Sequence, residues 1–425
     1  LPGTPDLGRL SERLSERVHE LVGIQYECLL GDILPGLAKE GVTYVRPSAY
    51  EPHQPRFLEN FFSNDVLPLL TPLRASATGA LPSIGNLRLH AAFLLRPSIV
   101  PQSGPLSGFL EAVSGRAALP GEDSAEADLD AVTADSMAIV QIPTSIPRVV
   151  WLPDEAGERR FTLVDDVVLT FGQRLFPGYA VAESMLFKVT RDADRPVDED
   201  RDGDFIAAIE EVLAARLSSL PVRLIATEGC PRMLAFLQER MNLAEGDIYR
   251  VPGPMDLPTL LELVAVDGLD RLRNPPWKNF WPVDFPEEGP LWDELKRTDL
   301  FLHVPYHSWE PVLRFLNDAA DDPDVLAIKM TLYRTSGDSP VIRALERAAR
   351  AGKHVTAFVE LKARFDEERN ISWAHRLEEV GVIVVYGIAR LKVHAKVLLV
   401  VRREQDGVRR YVHLSTGNYN DKTAR

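Results

Sequence analysis

A histidine and a lysine two residues apart, His394 and Lys396, are the best candidates in this sequence for chemistry on a substrate. They lie in the apolar run 391–401, which predicts a β-strand, and residues two apart on a strand face the same side. By the same spacing, Lys392 shares that side. A neutral imidazole nitrogen can attack phosphorus, and adjacent ammonium groups can neutralise the charge that develops on the phosphoryl oxygens. The pattern therefore indicates phosphoryl transfer through a phosphohistidine at His394, with Lys396 as a catalytic cation and Lys392 as a phosphate-binding one.

The turn after the next predicted strand, 408–415, supplies polar groups that suit the same chemistry. Gly417 permits a tight turn, and Asn418 and Asn420 can donate hydrogen bonds to phosphate oxygens. A histidine and a lysine at this spacing, an apolar strand and a glycine–asparagine turn together resemble half of a phospholipase D-type site, in which two halves meet and one histidine is the nucleophile. That superfamily has an aspartate five residues after the lysine, where this sequence has Val401. The missing carboxylate counts against a hydrolase.

Two arginines follow neighbouring strands of the predicted sheet. Arg334 comes just after the strand 325–332, and Arg364 comes just after the strand 355–361. Open α/β sheets bind their ligands beyond the carboxyl ends of the strands. Guanidinium groups bind phosphate in a bidentate fashion, so the pair is a candidate clamp for a polyphosphate chain or its magnesium complex. From the spacing alone, surface salt bridges are an equally good explanation.

The C-terminal part of the chain alternates between strand and helix patterns. The predicted order is strand 325–332, helix 340–351, strand 355–361, helix 367–380 and strand 382–386. Such a series predicts a parallel sheet with right-handed crossovers. Upstream, the sequence predicts helices at 11–37 and 57–70 and short strands at 86–95, 138–142, 149–152, 161–163 and 222–226. The expected fold class is therefore α/β and α+β in several domains.

The length of 425 residues is enough for several domains. The segment 274–290, rich in proline and aromatic residues, is the best candidate for a linker. We therefore expect the remnant of a helical N-terminal domain at 1–41 and a middle α+β domain at 42–281. The first C-terminal catalytic domain, an α/β domain of phospholipase D type, is expected at 282–425.

Charge is distributed unevenly along the chain. The net charge is −14, which taken as a whole argues against binding to nucleic acid or other polyanions. Residues 329–425, however, contain 19 Lys and Arg against 11 Asp and Glu, a net charge of +8. A local positive field concentrates anions at a cleft even on an acidic protein. The basic C-terminal quarter therefore favours an anionic substrate, with ordinary surface variation as the alternative.

The two cysteines, Cys28 and Cys230, lie far apart in the sequence. This excludes a disulfide framework and a cysteine zinc site and fits a reducing compartment. The sequence also lacks the run of about 18 uninterrupted apolar residues that is typical of a membrane helix. We therefore expect no membrane span and a cytoplasmic location, with peripheral association at the inner membrane as the alternative.

Five motifs in order closely resemble bacterial polyphosphate kinase of the first family, at 327–334, 359–368, 370–374, 391–396 and 415–420. The resemblance implies a phosphohistidine enzyme that moves the γ-phosphate of ATP reversibly onto inorganic polyphosphate. His394 matches the position that is phosphorylated, and Arg334 and Arg364 match positions that the family assigns to magnesium binding. An arginine cannot ligate a metal, so we expect both to contact phosphate oxygens that Mg²⁺ bridges.

The resemblance also implies the partners and the limits of this chain. ATP or ADP and polyphosphate would be the substrates and Mg²⁺ the cofactor, while nucleic acid is not expected; we further expect a homo-oligomer. Ala389 and Arg390 replace the family's Pro-Gly before its Leu-Lys pair, which alters the entry turn. The family's other nucleotide-binding positions fall before Leu1 and after Arg425, so we expect a fragment that is inactive by itself. The alternatives are a phospholipase D-type phosphodiesterase and a non-catalytic module that binds polyanions.

Overall fold

The computed structural model describes most of the chain in ten segments, namely residues 7–75, 81–98, 136–153, 158–192, 219–275, 277–333, 339–360, 367–387, 393–421 and 423–424. The described residues up to Arg273 form one compact unit, and those from Asn274 onward form a second. The two units are treated separately below.

The N-terminal unit begins with one long helical run. Helix α1 (Leu7–Glu27) continues through a π-helical turn (Cys28–Ile33) into helix α2 (Leu34–Lys39), which confirms the helix predicted at 11–37. The run Gly8–Lys39 is long and apolar enough to cross a membrane by length and composition, and only 11% of its most apolar window is buried. A core helix or a signal sequence meets the same criterion, so this property does not identify a membrane span.

Two sheets follow in the same unit. The strands are β1 (Val42–Tyr44), β2 (Leu73–Ala75), β3 (Leu89–Pro97), β4 (Ser136–Gln141), β5 (Val149–Trp151), β6 (Arg159–Leu163), β7 (Tyr179–Arg191), β8 (Pro221–Thr227) and β9 (Ile248–Val251). They form a three-stranded sheet in the order β1-β6-β5 and a six-stranded sheet in the order β2-β4-β3-β7-β8-β9. The helices packed with them are α3 (Gln54–Phe61), α4 (Val164–Phe171), α5 (Pro231–Met241) and α6 (Leu261–Val264).

Strand β3 lies inside the six-stranded sheet and is buried on both faces. Ala91 and Phe93 belong to one apolar core, and Ala92 and Leu94 belong to the core on the opposite face. A continuous apolar run is the expected sequence of such a strand, and this is why β3 was predicted. Strand β7, its neighbour, was not predicted, because polar residues interrupt its apolar pattern and pairing within the sheet overrides that local signal.

The C-terminal unit is built on one five-stranded sheet. Its strands are β10 (Val325–Leu332), β11 (His354–Val359), β12 (Ile383–Tyr386), β13 (Lys396–Glu404) and β14 (Gly407–Ser415), in the order β12-β11-β10-β13-β14. Its helices are α7 (Leu291–Arg297), α8 (Glu310–Asp321), α9 (Pro340–Arg350) and α10 (Glu367–Glu379). Strands β10, β11 and β12 are parallel, which confirms the predicted β-α-β-α-β series, while β13 is antiparallel to β10 and β14.

The proposed linker 274–290 is part of this C-terminal unit. Phe285 is buried in the main core of the unit, and Trp281 packs against that core. The indole Nε1 of Trp281 donates a hydrogen bond to the carbonyl oxygen of Phe285 at 2.6 Å. Its aromatic residues therefore bury apolar surface in this unit, and the domain boundaries expected after residues 41 and 281 stay predictions.

Only one face of the five-stranded sheet is covered in the described part of the unit. Ile328, Leu398 and Val400 are fully buried and share a core with helices α8, α9 and α10. On the opposite face, Val412 and Leu414 of strand β14 are 53% and 70% exposed. Sheets with parallel strands normally have both faces covered, so this bare apolar face suits a contact with another element.

A buried ionic cluster joins the three-stranded sheet to helix α4. The guanidinium of Arg148 binds Asp165 in a bidentate fashion, with Nε–Oδ1 and Nη2–Oδ2 distances of 2.5 and 2.9 Å. The neighbouring carboxylate of Asp166 accepts a hydrogen bond from the hydroxyl of Tyr44 at 2.7 Å. Burial, together with the charge of Asp165, raises the pKa of Asp166 to about 7. Folding therefore favours the protonated form of a carboxyl group that is ionised in water at neutral pH.

Substitution of Arg148 by Met should destabilise the protein strongly. It leaves the buried carboxylate of Asp165 without its cation, and breaking such a pair costs about 3 to 5 kcal/mol. Urea unfolding followed by circular dichroism measures the loss. The matched control is Arg160→Met, which removes a half-buried guanidinium that pairs with Glu158 at the surface and should change the unfolding curve much less. Equal effects of the two variants would contradict the prediction.

The protonated state of Asp166 predicts a pH dependence of stability. Its pKa is raised on folding from its ordinary value to about 7, so the folded state binds the proton more tightly. The contribution of this group to the free energy of unfolding is therefore present below about pH 4 and is lost as the pH rises to about 7. Asp166→Asn cannot titrate, so its urea midpoint should fall less between pH 4.5 and 7 than that of the parent. Identical slopes would contradict the assignment.

Candidate active site

The carboxyl ends of β10 and β11 and the start of β13 meet at one edge of the sheet. Strands β10 and β11 run parallel, so their last residues, Leu332 and Val359, lie side by side. Strand β13 runs antiparallel to β10, with Leu398 opposite Met330, so the residues that precede Lys396 reach the same edge. This edge is where open α/β sheets bind ligands.

The structure corrects the predicted position of His394. Strand β13 begins at Lys396 instead of residue 391, so His394 precedes the strand and the period-two argument does not apply to it. The side chain of His394 is exposed, whereas Lys396 is only 4% exposed. The expectation that these two side chains share one strand face was therefore wrong. The exposed imidazole is nevertheless open to a substrate.

The short stretch 393–395, which we call the histidine segment, is held in place by side chains instead of a strand ladder. The hydroxyl of Thr331, on β10, donates to the carbonyl oxygen of Ala395 at 2.7 Å. The same hydroxyl accepts a hydrogen bond from the amide of Val397 at 2.9 Å. Thr331 therefore connects the end of the histidine segment to the sheet.

Two further side chains hold the start and the middle of the histidine segment. The carboxylate of Glu360, which directly follows β11, accepts a hydrogen bond from the amide of Val393 at 2.7 Å. The ammonium of Lys396 donates to the carbonyl oxygen of His394 at 2.6 Å. Both Glu360 and Lys396 are buried, and buried charge-assisted hydrogen bonds are among the strong ones. The backbone that carries the imidazole is thus fixed on each side.

Asn370, at the start of α10, ties the ends of β10 and β11 together. Its amide nitrogen donates to the carbonyl oxygens of Tyr333 and Glu360, at 3.0 and 3.1 Å. Its amide oxygen accepts from the indole of Trp373 at 3.2 Å, and Asn370 is completely buried. Sequence reasoning placed Asn370 in a motif without giving it a role. No local signal marked that role, because three charged residues precede Asn370 in a helix whose sequence is mostly polar.

Lys396 lies in a desolvated position beside an aromatic ring. Its ammonium is 5.3 Å from the centroid of the Tyr333 ring, a cation–π contact. Burial lowers the pKa of Lys396 from its usual value. The ring of Tyr333 also meets the imidazole of His394 edge to face, with centroids 5.6 Å apart and planes at 82°. One aromatic ring therefore contacts both members of the predicted catalytic pair.

The predicted phosphate-binding turn lies beside the same edge. Lys396 pairs with Ser415 at the end of β14, so the residues after Ser415 continue next to the histidine segment. The amide oxygen of Asn418 is buried and has no hydrogen-bond partner among the described residues. Asn420 instead shapes the turn, because its amide oxygen accepts from the backbone of Thr423 at 3.3 Å. Asn418 is therefore the better candidate of the two for binding a ligand.

His413 is close to this turn but has a structural environment. Its Nδ1 is 3.0 Å from the hydroxyl of Tyr419, which is buried. Burial lowers the pKa of His413 to about 4, so the ring is neutral at physiological pH. These contacts give His413 a structural role in holding the turn.

Three predicted site residues, Arg334, Arg364 and Lys392, lie outside the described residues. Tyr333, which precedes Arg334, and Val393, which follows Lys392, are described, and both lie at the strand-end edge. The arginine clamp and the phosphate-binding role of Lys392 stay predictions.

The described part of the chain contains no group of three or more His, Cys, Asp or Glu side chains that could hold a metal ion. The carboxylate of Glu360 at the edge is engaged by the backbone amide of Val393. The donor set described at this edge therefore fits a metal that arrives on a substrate better than one held by the protein alone.

An open α/β sheet with an exposed histidine and a buried lysine at its strand ends has the architecture of a ligand-binding or catalytic α/β domain. Comparison with known proteins defines it further. Residues 53–263 match the family model described as the polyphosphate kinase middle domain, and residues 290–425 match that of polyphosphate kinase C-terminal domain 1. The chain belongs to the polyphosphate kinase family.

Individual relatives support this assignment. A polyphosphate kinase of Halalkalibacterium halodurans is 39% identical over 417 residues, which cover 97% of this chain and 55% of that protein. One of Mycolicibacterium gilvum is 39% identical over 421 residues, covering 97% of this chain and 53% of the relative. The crystal structure of polyphosphate kinase from Porphyromonas gingivalis superposes with a TM-score of 0.72 at 26% identity, covering 98% of this chain and 56% of that one. The chain thus spans about half the length of the relatives it matches, and the expected mixed α/β multidomain fold class is confirmed.

Thr331→Val should weaken the attachment of the histidine segment. The change keeps the shape of the side chain but removes the hydrogen bonds to the exposed carbonyl of Ala395 and the half-buried amide of Val397, which should cost about 1 kcal/mol. Urea unfolding measures the loss, and hydrogen exchange at the Val397 amide should become faster. Thr356→Val is the matched control, because Thr356 lies on the same sheet face of β11 and its side chain makes no hydrogen bond with the described residues. That control should stay within about 0.5 kcal/mol of the parent; comparable losses in both would refute the role of the hydroxyl.

Proposed function

We propose that this chain carries the phosphohistidine half-site of a polyphosphate kinase that transfers the γ-phosphate of ATP reversibly onto inorganic polyphosphate. The observation that carries the proposal is the exposed imidazole of His394 at the strand-end edge, on a backbone fixed by buried side chains. A nucleophile for phosphoryl transfer has to be accessible and held in a defined direction. The family assignment supports the same chemistry.

The reaction takes two steps. In the first, the lone pair of an imidazole nitrogen of His394 attacks the γ-phosphorus, a P–N bond forms and the P–O bond to ADP breaks, with the electron pair leaving on ADP. In the second, a terminal oxygen of polyphosphate attacks the same phosphorus, and the P–N bond breaks to restore the imidazole. Lys396, whose ammonium donates to the carbonyl oxygen of His394, is the cation we assign to the charge that develops on the phosphoryl oxygens.

Mg²⁺ would enter the site on the phosphates of ATP. Arg334 and Arg364 would then contact phosphate oxygens that the ion bridges, and Lys392 and Asn418 would bind the rest of the phosphate. The unpartnered amide oxygen of Asn418 fits a water or a metal-bound water, and its amide nitrogen fits a phosphate oxygen. An ATP-dependent reaction of this kind belongs in the cytoplasm, where we place the protein.

The bare face of the five-stranded sheet supports the idea that a second half-site completes the enzyme. On β14 this face carries exposed valine and leucine side chains, and burying them would favour association. We propose that another phospholipase D-like domain contacts this surface in the complete enzyme. Activity would then require more than the chain described.

Labelling with γ-³²P-ATP in the full-length protein tests the proposal. The parent should acquire an acid-labile, base-stable phosphate on His394, and His394→Gln should lose the label and the synthesis of polyphosphate. Removal of a nucleophile typically lowers the rate by about 10³-fold or more. His375→Gln is the matched control, because His375 is an exposed histidine of α10 in the same unit that pairs with Glu378. It should keep both the label and the activity.

Other outcomes would overturn the proposal. Labelling that persists in His394→Gln would move the nucleophile elsewhere. Hydrolysis of phosphodiesters without ATP would favour the phosphodiesterase alternative. Tight polyphosphate binding by the unlabelled parent, unchanged in His394→Gln and without turnover, would favour a non-catalytic module.

A further inference from the structure

Tyr333 is the first residue after β10 and has no role in the reaction proposed above. We propose that Tyr333 is a positioning residue, whose ring sets the orientation of the His394 imidazole toward the incoming phosphoryl group. The inference rests on the proposed function, since it assumes that His394 is the nucleophile.

The ring contacts give the first argument. The rings of Tyr333 and His394 meet edge to face, with centroids 5.6 Å apart and an interplanar angle of 82°. This is a favoured arrangement of aromatic rings, because the positive edge of one ring meets the negative face of the other. The same Tyr333 ring has the Lys396 ammonium over it at 5.3 Å. One ring therefore sets the positions of the nucleophile and its nearest described cation relative to each other.

The rigidity of Tyr333 itself gives the second argument. Its carbonyl oxygen accepts a hydrogen bond from the buried amide of Asn370 at 3.0 Å. The preceding residue, Leu332, is buried, and its carbonyl oxygen accepts from the amide of Glu360 at 3.0 Å. Because this backbone is constrained, the Tyr333 ring has a fixed position against which the imidazole of His394 packs.

The surroundings of His394 give the third argument. In the part of the chain that is described, no side chain or backbone group forms a hydrogen bond with the imidazole of His394, and the residue is exposed. Among the described residues, the Tyr333 ring is therefore the group that limits rotation of the imidazole about its side-chain bonds. In-line attack needs the nitrogen lone pair aimed at phosphorus, and small errors in aim are costly. The contact thus affects the chemical step more than the binding of ATP.

Two substitutions separate the ring from the hydroxyl. Tyr333→Leu removes the ring, and we expect phosphohistidine formation in the full-length protein to slow by about 10-fold while KM for ATP changes by less than about 2-fold. Tyr333→Phe keeps the ring and should stay within about 2-fold of the parent rate. Rapid-quench labelling with γ-³²P-ATP measures the rate, and thermal unfolding checks that both variants are folded.

Phe280→Leu is the matched control. The Phe280 ring meets the imidazole of His307 edge to face at 5.0 Å in the same unit, and neither residue contacts His394. This variant removes the same kind of contact and should leave the labelling rate unchanged. A Leu variant of Tyr333 that keeps the parent rate would overturn the inference, and so would a Phe variant as slow as the Leu variant.

A second readout keeps the inference separate from the proposed function. The ring protons of His394 should show a ring-current shift in the NMR spectrum that persists in Tyr333→Phe and disappears in Tyr333→Leu. If the parent forms no phosphohistidine, the proposed function fails, while the spectrum still reports whether Tyr333 orients the imidazole. If the parent does label and Tyr333→Leu labels at the parent rate, only the positioning role is refuted.

Discussion

The site depends on hydrogen bonds from buried side chains to a stretch of backbone that has no strand partner. Residues 393–395 precede β13, so the amide of Val393 and the carbonyl of Ala395 cannot be satisfied by the ladder. Glu360 and Thr331 supply those partners instead. These two hydrogen bonds fix the backbone on either side of His394, and the loss of either would loosen it. Thr331 lies on β10 and Glu360 directly follows β11, so the sheet determines the position of the imidazole.

The chemistry available at the strand-end edge depends on which of its side chains are exposed to solvent. The Lys396 ammonium is buried against an aromatic ring and a carbonyl oxygen, while the His394 imidazole remains open to solvent. A cation in a partly desolvated position interacts more strongly with a phosphoryl group than one in bulk water. An exposed imidazole near such a cation suits the phosphoryl transfer proposed above. In the described part of the same unit, one apolar sheet face is also bare.

The N-terminal unit shows a different use of buried charge. Arg148 and Asp165 satisfy each other, and burial together with the charge of Asp165 raises the pKa of Asp166. This cluster connects a small sheet to a helix and contains no accessible nucleophile. Its perturbed pKa therefore has a structural cause, and a shifted pKa alone does not mark this cluster as a candidate active site. Accessibility and strand-end position distinguish the edge around His394 from this cluster.

The sequence alone determined the order of strands and helices around β10, β11 and β12, because apolar periodicity reports directly which residues a regular element buries. It also placed His394, Lys396 and Asn418 in neighbouring motifs, because residues that are close in the sequence remain close in the fold. Tertiary structure decided what local periodicity cannot encode. Strand β13 starts only at Lys396 because long-range side-chain bonds from Thr331 and Glu360 replace the ladder before it. Partners that lie more than thirty residues away in the sequence are chosen by the packing of the whole sheet, and no local pattern records them.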